Sequence, residues 1–147
     1  MEWTVRQIGA QELPLLYGLR ARVLRPGRSM DSAVFSGDDD PATLHIGAFL
    51  PAGDCIGVVT LMENKGTQLR GMAVLPEWQR KGVGATLVQE AQRMAAERGI
   101  TSLWCNARVA AAGFYERMGW TIESEEFEVP GVGPHYVMRY RMTSDEV

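Results

Sequence analysis

Cysteine occurs only twice in this chain, at Cys55 and Cys105, and histidine only twice, at His45 and His135. Two isolated cysteines exclude a disulfide-built scaffold, and with two isolated histidines they supply no ligand cluster for a metal. Both cysteines sit in apolar, strand-like runs, so buried free thiols in a reducing compartment are expected. No apolar run reaches the roughly 20 residues that a membrane-spanning helix needs. Met1 to Arg6 lacks the apolar core of a secretory leader, so a cytoplasmic location with no membrane partner is expected. Excess positive charge is missing too. Lys and Arg number 15 against 18 Asp and Glu, a net charge of −3, which excludes general attraction to nucleic acid. Repeats, linkers and low-complexity tracts are also absent. With 46% hydrophobic and 22% charged residues, the chain suits one globular domain over residues 1–147, burying about two-thirds of its unfolded surface.

What the chain does have is a dense, basic loop. Residues 64–81 hold Lys65, Arg70, Arg80 and Lys81 against Glu77 alone. Within them an apolar run, Met72 to Leu75, stops at Pro76, as a strand does on meeting a residue without an N–H. Glu77-Trp78-Gln79-Arg80-Lys81-Gly82-Val83-Gly84 then leads into an amphipathic run from Val83. A strand, a glycine-spaced basic loop and a helix start together make an anion site. The first helical N–H groups are unpaired, and glycine lets a phosphate approach the backbone. The spacing predicts a diphosphate-bearing ligand. A Walker loop requires Lys-Ser/Thr after its glycines, and here Lys81 precedes them. A dinucleotide fingerprint requires a third glycine, and Leu87 stands at that place. The pattern that remains is Gln79-x-x-Gly82-x-Gly84.

A second segment follows about twenty residues later. Leu103-Trp104-Cys105-Asn106-Ala107-Arg108 reads as a short strand ending in polar residues. Ala111, Ala112, Phe114, Tyr115 and Met118 continue at helical spacing, and Gly119-Trp120 opens another strand. The periodicities predict strands at 3–8, 43–50, 55–62, 69–75, 101–105, 120–129 and 135–142. Helices are predicted at 11–25, 83–98 and 110–118, with an irregular stretch at 28–41. Gly71 within a strand suggests a bulge.

Together the two segments resemble the GNAT superfamily of acyl-CoA-dependent N-acetyltransferases, whose Q/R-x-x-G-x-G/A loop binds the pyrophosphate of acetyl-CoA. Leu24-Arg25-Pro26-Gly27 and the closing Pro130-Gly131-Val132-Gly133-Pro134-His135 are similar to a bacterial branch of that family. The resemblance implies an α/β GNAT fold: a mixed central sheet of about seven strands flanked by helices, with parallel strands splayed at the cofactor site. It implies that Met72, Ala73 and Val74 pair with the pantetheine arm. Gln79, Arg80, Lys81, Gly82, Val83, Gly84 and Ala85 would offer N–H groups to the pyrophosphate. Asn106 would bond the arm, Arg108 would reach the 3′-phosphate, and Phe114 would complete the cofactor segment. Tyr115 takes the position of the general acid, protonating the departing thiolate.

The implied activity is direct acetyl transfer from acetyl-CoA to a primary amine of a small molecule or peptide in a ternary complex, without metal. Homodimers are common in the family. The alternative is a catalytically silent acyl-CoA-binding sensor or interaction module. Many family members carry a Glu before the loop as general base, but here the stretch is Gln68-Leu69-Arg70-Gly71. Glu63, His45, Glu126, His135 or a water chain remain as candidates. The acidic runs Asp38 to Asp40 and Glu123 to Glu128 favour a cationic acceptor, such as a polyamine or a lysine side chain.

Overall fold

The computed structural model describes residues 2–142. Its elements in chain order are β1 (Thr4–Ile8), α1 (Leu13–Leu24), β2 (Leu44–Phe49), β3 (Cys55–Glu63), β4 (Thr67–Val74), α2 (Val83–Glu97), β5 (Ser102–Arg108), α3 (Ala112–Arg117), β6 (Thr121–Ile122), β7 (Phe127–Val129) and β8 (Gly133–Arg141). The strands form one mixed sheet in the order β1-β2-β3-β4-β5-β8-β6, with β7 also paired to β8. Every described pairing is antiparallel except β4 with β5.

Strand alternation divides the core between the two faces. Val59 and Leu61 of β3 pack with the α2 stripe Val83, Leu87, Val88, Ala91 and Ala95. Val58, one residue away, packs with Leu16 and Leu19 of α1. Both faces of the central strands are therefore covered, and all six residues of β2 are buried. Pro14 lies in the first turn of α1, where its missing N–H costs nothing. At the other end of α2, Ile100 N–H donates to Ala95 O and Gly99 N–H to Ala96 O, the paired bonds that close a helix on glycine.

Two local expectations are corrected. The strand expected over 120–129 is two short strands, which raises the sheet to eight. Between them the Ser124 hydroxyl accepts the N–H of Val137 at 2.8 Å, replacing a main-chain partner and breaking the ladder. The stretch 28–41, expected to be irregular, contains a 3₁₀ turn, Met30–Ala33, between the first two strands. It is fixed by a buried ion pair rather than by periodicity. Asp38 accepts two bonds from Arg20, at 2.7 and 3.1 Å, and one from the Phe35 N–H at 2.6 Å.

Candidate functional site

The parallel pair β4 and β5 is registered at only two positions, Thr67 with Leu103 and Gln68 with Trp104. Beyond them the two strands have no ladder between them. The β3–β4 register shows why β4 turns away. Arg70 faces Thr60 and Ala73 faces Val58, so Gly71 and Met72 together oppose Val59. Such a bulge bends its strand. It requires Gly71 at φ +67°, where a Cβ would lie 2.9 Å from Phe35 Cε2 and 3.1 Å from Arg20 Nε. The bulge expected at Gly71 is thus present, at a position that no larger residue fits.

The splay leaves one edge of β4 open. Leu75 N–H donates to Ile56 O while Val74 faces Gly57. Antiparallel alternation therefore turns the main-chain groups of Ala73 and Leu75 toward β3 and those of Met72 and Val74 toward the gap. Of the three residues expected to pair with a pantetheine arm, Ala73 is committed to the sheet. Met72 and Val74 are not.

At the end of that edge stands the loop. Gly82 caps α2 at φ +96°, and Thr86 N–H closes the first turn on Gly82 O. The N–H groups of Val83, Gly84 and Ala85 have no acceptor within the helix. Arg80 holds φ +63°, a conformation costing a residue with a Cβ roughly 1–3 kcal/mol and found most often at ligand-binding loops. Arg80 and Lys81 are exposed beside it. Gln79 departs from expectation. Its N–H turns back to Pro76 O, and its side-chain amide donates to Val74 O at 3.0 Å. Gln79 acts through its side chain on the open strand edge, not as one of the loop's N–H donors.

Between β4 and β5 lies a cavity of about 350 Å³. Met72, Asn106, Arg108, Tyr115 and His135 all line it. Met72 connects it to the loop, since its Sδ lies 3.6 Å from where a Cβ on Gly84 would be, and the Phe114 ring is 3.7 Å from the same point. Phe114 thus braces α3 against the start of α2.

Tyr115 is buried in an aromatic stack, edge-on to Phe114 at 5.0 Å and to Trp120 at 5.4 Å. Among the described residues its hydroxyl has no hydrogen-bond partner. Burial, with a smaller contribution from Cys105, raises its pKa above the usual phenol value, so it stays protonated at all ordinary pH. Burial likewise pushes the Cys105 thiol up to about 12, which leaves it protonated and a poor nucleophile.

Of the four general-base candidates, only His135 borders the cavity. Its Nδ1 lies 2.8 Å from Gly133 O. A carbonyl only accepts, so Nδ1 carries the proton in the neutral ring and Nε2 keeps its lone pair. His45 is spoken for elsewhere. Arg20 Nη2 donates to Thr60 Oγ1 (2.8 Å), that hydroxyl donates to His45 Nδ1 (2.7 Å), and His45 Nε2–H donates to Asp38 O (2.9 Å). Burial lowers the His45 pKa and keeps the ring neutral. Glu63 and Glu126 are exposed and away from the cavity.

Sequence reasoning missed the Arg20–Asp38–Thr60–His45 network and the cavity wall made by Arg25, Phe35 and Arg70. One signal was available. Arg20 falls at i+4 on the stripe of Leu16, Leu19 and Val23 (i, i+3 and i+7), where a charge is buried only with a partner.

The family model described as acetyltransferase (GNAT) domain matches residues 38–142. The chain belongs to the GNAT acetyltransferase family. The uncharacterized N-acetyltransferase YitI of Bacillus subtilis is 35% identical over 130 residues, covering 83% of this chain and 87% of that one. Among solved structures, a candidate N-acetyltransferase of Lactobacillus plantarum superposes with a TM-score of 0.84 at 19% identity, covering 97% of this chain and all of the other. The ribosomal-protein-S18-alanine N-acetyltransferase of Escherichia coli superposes at 0.78 with 20% identity, over 99% and 98% of the two chains. At such identities the structures establish the fold. Membership of the family makes the chain an N-acetyltransferase drawing on an acyl-CoA. The open edge of β4 and the free N–H groups of α2 suit that donor's amide-bearing arm and its phosphates. No described helix of this GNAT chain is long and apolar enough to cross a membrane.

Proposed function

We propose that this chain transfers an acetyl group from acetyl-CoA directly to a primary amine bound in the same cavity. The observation that carries the reading is that Met72 of the open edge of β4, Tyr115 and His135 line a single cavity. Met72 and Val74 offer main-chain groups to the pantetheine arm, with Gln79 yielding Val74 O. Asn106 flanks the arm from β5. The loop from Arg80 to Ala85 supplies N–H groups and two cations for the phosphates. The two unpaired cysteines suit a reducing compartment such as the cytoplasm.

The amine nitrogen attacks the thioester carbonyl carbon, the C–N bond forms, and the C–S bond breaks. His135 Nε2 takes the proton the nitrogen must lose, and Tyr115 donates one to the departing sulfur. Nothing is oxidised or reduced. The products are the N-acetyl amine and free coenzyme A thiol. A phenol is a weaker acid than a thiol, and burial widens the gap, so the Tyr115 hydroxyl acts as a hydrogen-bond donor whose proton moves late. A main-chain N–H of the open β4 edge polarises the carbonyl.

The test is thiol release from acetyl-CoA across a panel of primary amines. Amine-dependent release that matches the amount of N-acetyl product supports the reading. Tight acetyl-CoA binding with no release from any amine would instead support a sensor that kept the cofactor site.

A further inference from the structure

The cavity's charge selects among acceptors, and here the deduction rests on the acetyltransferase reading above. Arg25, Arg70 and Arg108 line it, and among the described residues no Asp or Glu does. Arg25, Arg70 and Arg20 gather around one ring. Their guanidinium carbons lie 5.9, 4.3 and 3.9 Å from the centre of Phe35, which is also a cavity residue. Only Arg20 is neutralised, by its two bonds to Asp38. Asp38 is buried, receives the Phe35 N–H as well and makes no hydrogen bond to Arg70; its charge reaches Arg70 only as a smaller influence than burial and Arg20.

Arg70 is half-buried, and its one described polar contact is Met62 Sδ at 3.9 Å. Arg25 donates only to Leu24 O, at 3.1 Å. Among the described residues neither has a carboxylate partner. A partly desolvated guanidinium without an anion is costly unless a ligand supplies one. Burial and the nearby charge of Arg20 already lower the Arg70 pKa from its usual value.

The donor's phosphates do not account for Arg25 and Arg70, whereas Arg108 is the residue that the family resemblance assigns to the 3′-phosphate. The loop that suits the phosphates begins at Arg80, beyond the far end of β4, and none of its residues lines the cavity. Arg70 stands before the Gly71 bulge, on the opposite side of Met72 from that loop. Arg25 comes from the end of α1 and Phe35 from the turn after it, so neither belongs to the phosphate loop.

We infer that the acceptor is an amine carrying its own anionic group, a carboxylate or phosphate, held by Arg70 and Arg25 against Phe35 while its nitrogen faces the thioester. A guanidinium matches either anion with two parallel bonds. The inference reverses the expectation of a cationic acceptor. Asp38 is consumed by Arg20, Asp39 and Asp40 are exposed, Glu123 pairs with Arg139 and Arg141, and none of these borders the cavity.

The test uses matched pairs: leucine with isoamylamine, glucosamine 6-phosphate with glucosamine, and spermidine as the cationic member. Acetylation of the member that carries the anionic group is expected to exceed that of its partner without it by about tenfold or more in kcat/KM. The arm with the larger ratio identifies the anion. Arg70→Gln should shrink that ratio, chiefly through KM, and Arg25→Gln should do so in part, each with an unchanged melting temperature. A ratio near one, or a preference for spermidine, would overturn the inference while leaving the transferase reading intact. Calorimetric binding of the same pairs to the protein loaded with coenzyme A gives an answer that does not depend on turnover. Tighter binding of the member that carries the anionic group, abolished by Arg70→Gln, supports the inference, and equal binding of both members refutes it. Absence of acetylation across all pairs would count against the transferase reading alone.

Discussion

Tyr115→Phe is expected to lower kcat by about 10²–10³-fold, with little change in KM for acetyl-CoA. That is about 2.7–4 kcal/mol of transition-state stabilisation. The substitution is clean on structural grounds. The ring keeps its contacts with Phe114 and Trp120, and among the described residues no group loses a partner when the hydroxyl goes. The melting temperature should therefore stay put. The role is distinguishable from simple positioning by varying the leaving group. An acyl donor whose thiol is more acidic needs less help as it departs, so the deficit of Tyr115→Phe should narrow with such a donor. An equal deficit with every donor would assign the hydroxyl to positioning, and no deficit would remove it from the chemistry. Because burial raises the Tyr115 pKa, any loss of activity at mildly alkaline pH should persist in the variant.

The largest expected effect on stability is at Asp38. Removing this carboxylate leaves the wholly buried Arg20 guanidinium uncompensated and the Phe35 N–H without its acceptor. Breaking a buried pair from one side costs about 3–5 kcal/mol. For a chain of this size that lowers the melting temperature by roughly 10 °C. Asp38→Ala should show it in chemical denaturation, with an unchanged m-value. Adding Arg20→Met to that variant should restore part of the loss, because no charge is then left in the core. A loss below about 1 kcal/mol for Asp38→Ala would mean that Arg20 finds other compensation. The same variant should loosen Phe35, and through it the wall of the acceptor cavity.

Local pattern carried much of the architecture. The α2 stripe, the stop at Pro76 and the Gln79-x-x-Gly82-x-Gly84 spacing are contiguous signals, and the strand–loop–helix they describe is present. Asn106, Arg108 and Tyr115 came from a second contiguous segment and border the same cavity as Met72. What local pattern could not show is pairing across long separations. Asp38 lies 18 residues from Arg20, so its run of three acids reads as a contact for a cationic acceptor although one member is already bound. Arg25, Phe35 and Arg70 become one wall only after α1 packs on β4 and Gly71 bends the strand. His135 was one of four candidates in the sequence, because only the ladder of β5 with β8, which sets Arg108 opposite His135, brings it to the gap. The split of the closing strand depended on a single hydroxyl, that of Ser124.

Thermal unfolding with and without acetyl-CoA tests most directly whether the splayed strands and the α2 loop form an acetyl-CoA site. Ligand at a hundred times its dissociation constant adds about 2.7 kcal/mol, which should raise the melting temperature by roughly 5–10 °C. ATP and NAD at the same concentration should leave it unchanged. No shift with saturating acetyl-CoA, or an equal shift with all three ligands, would contradict that assignment.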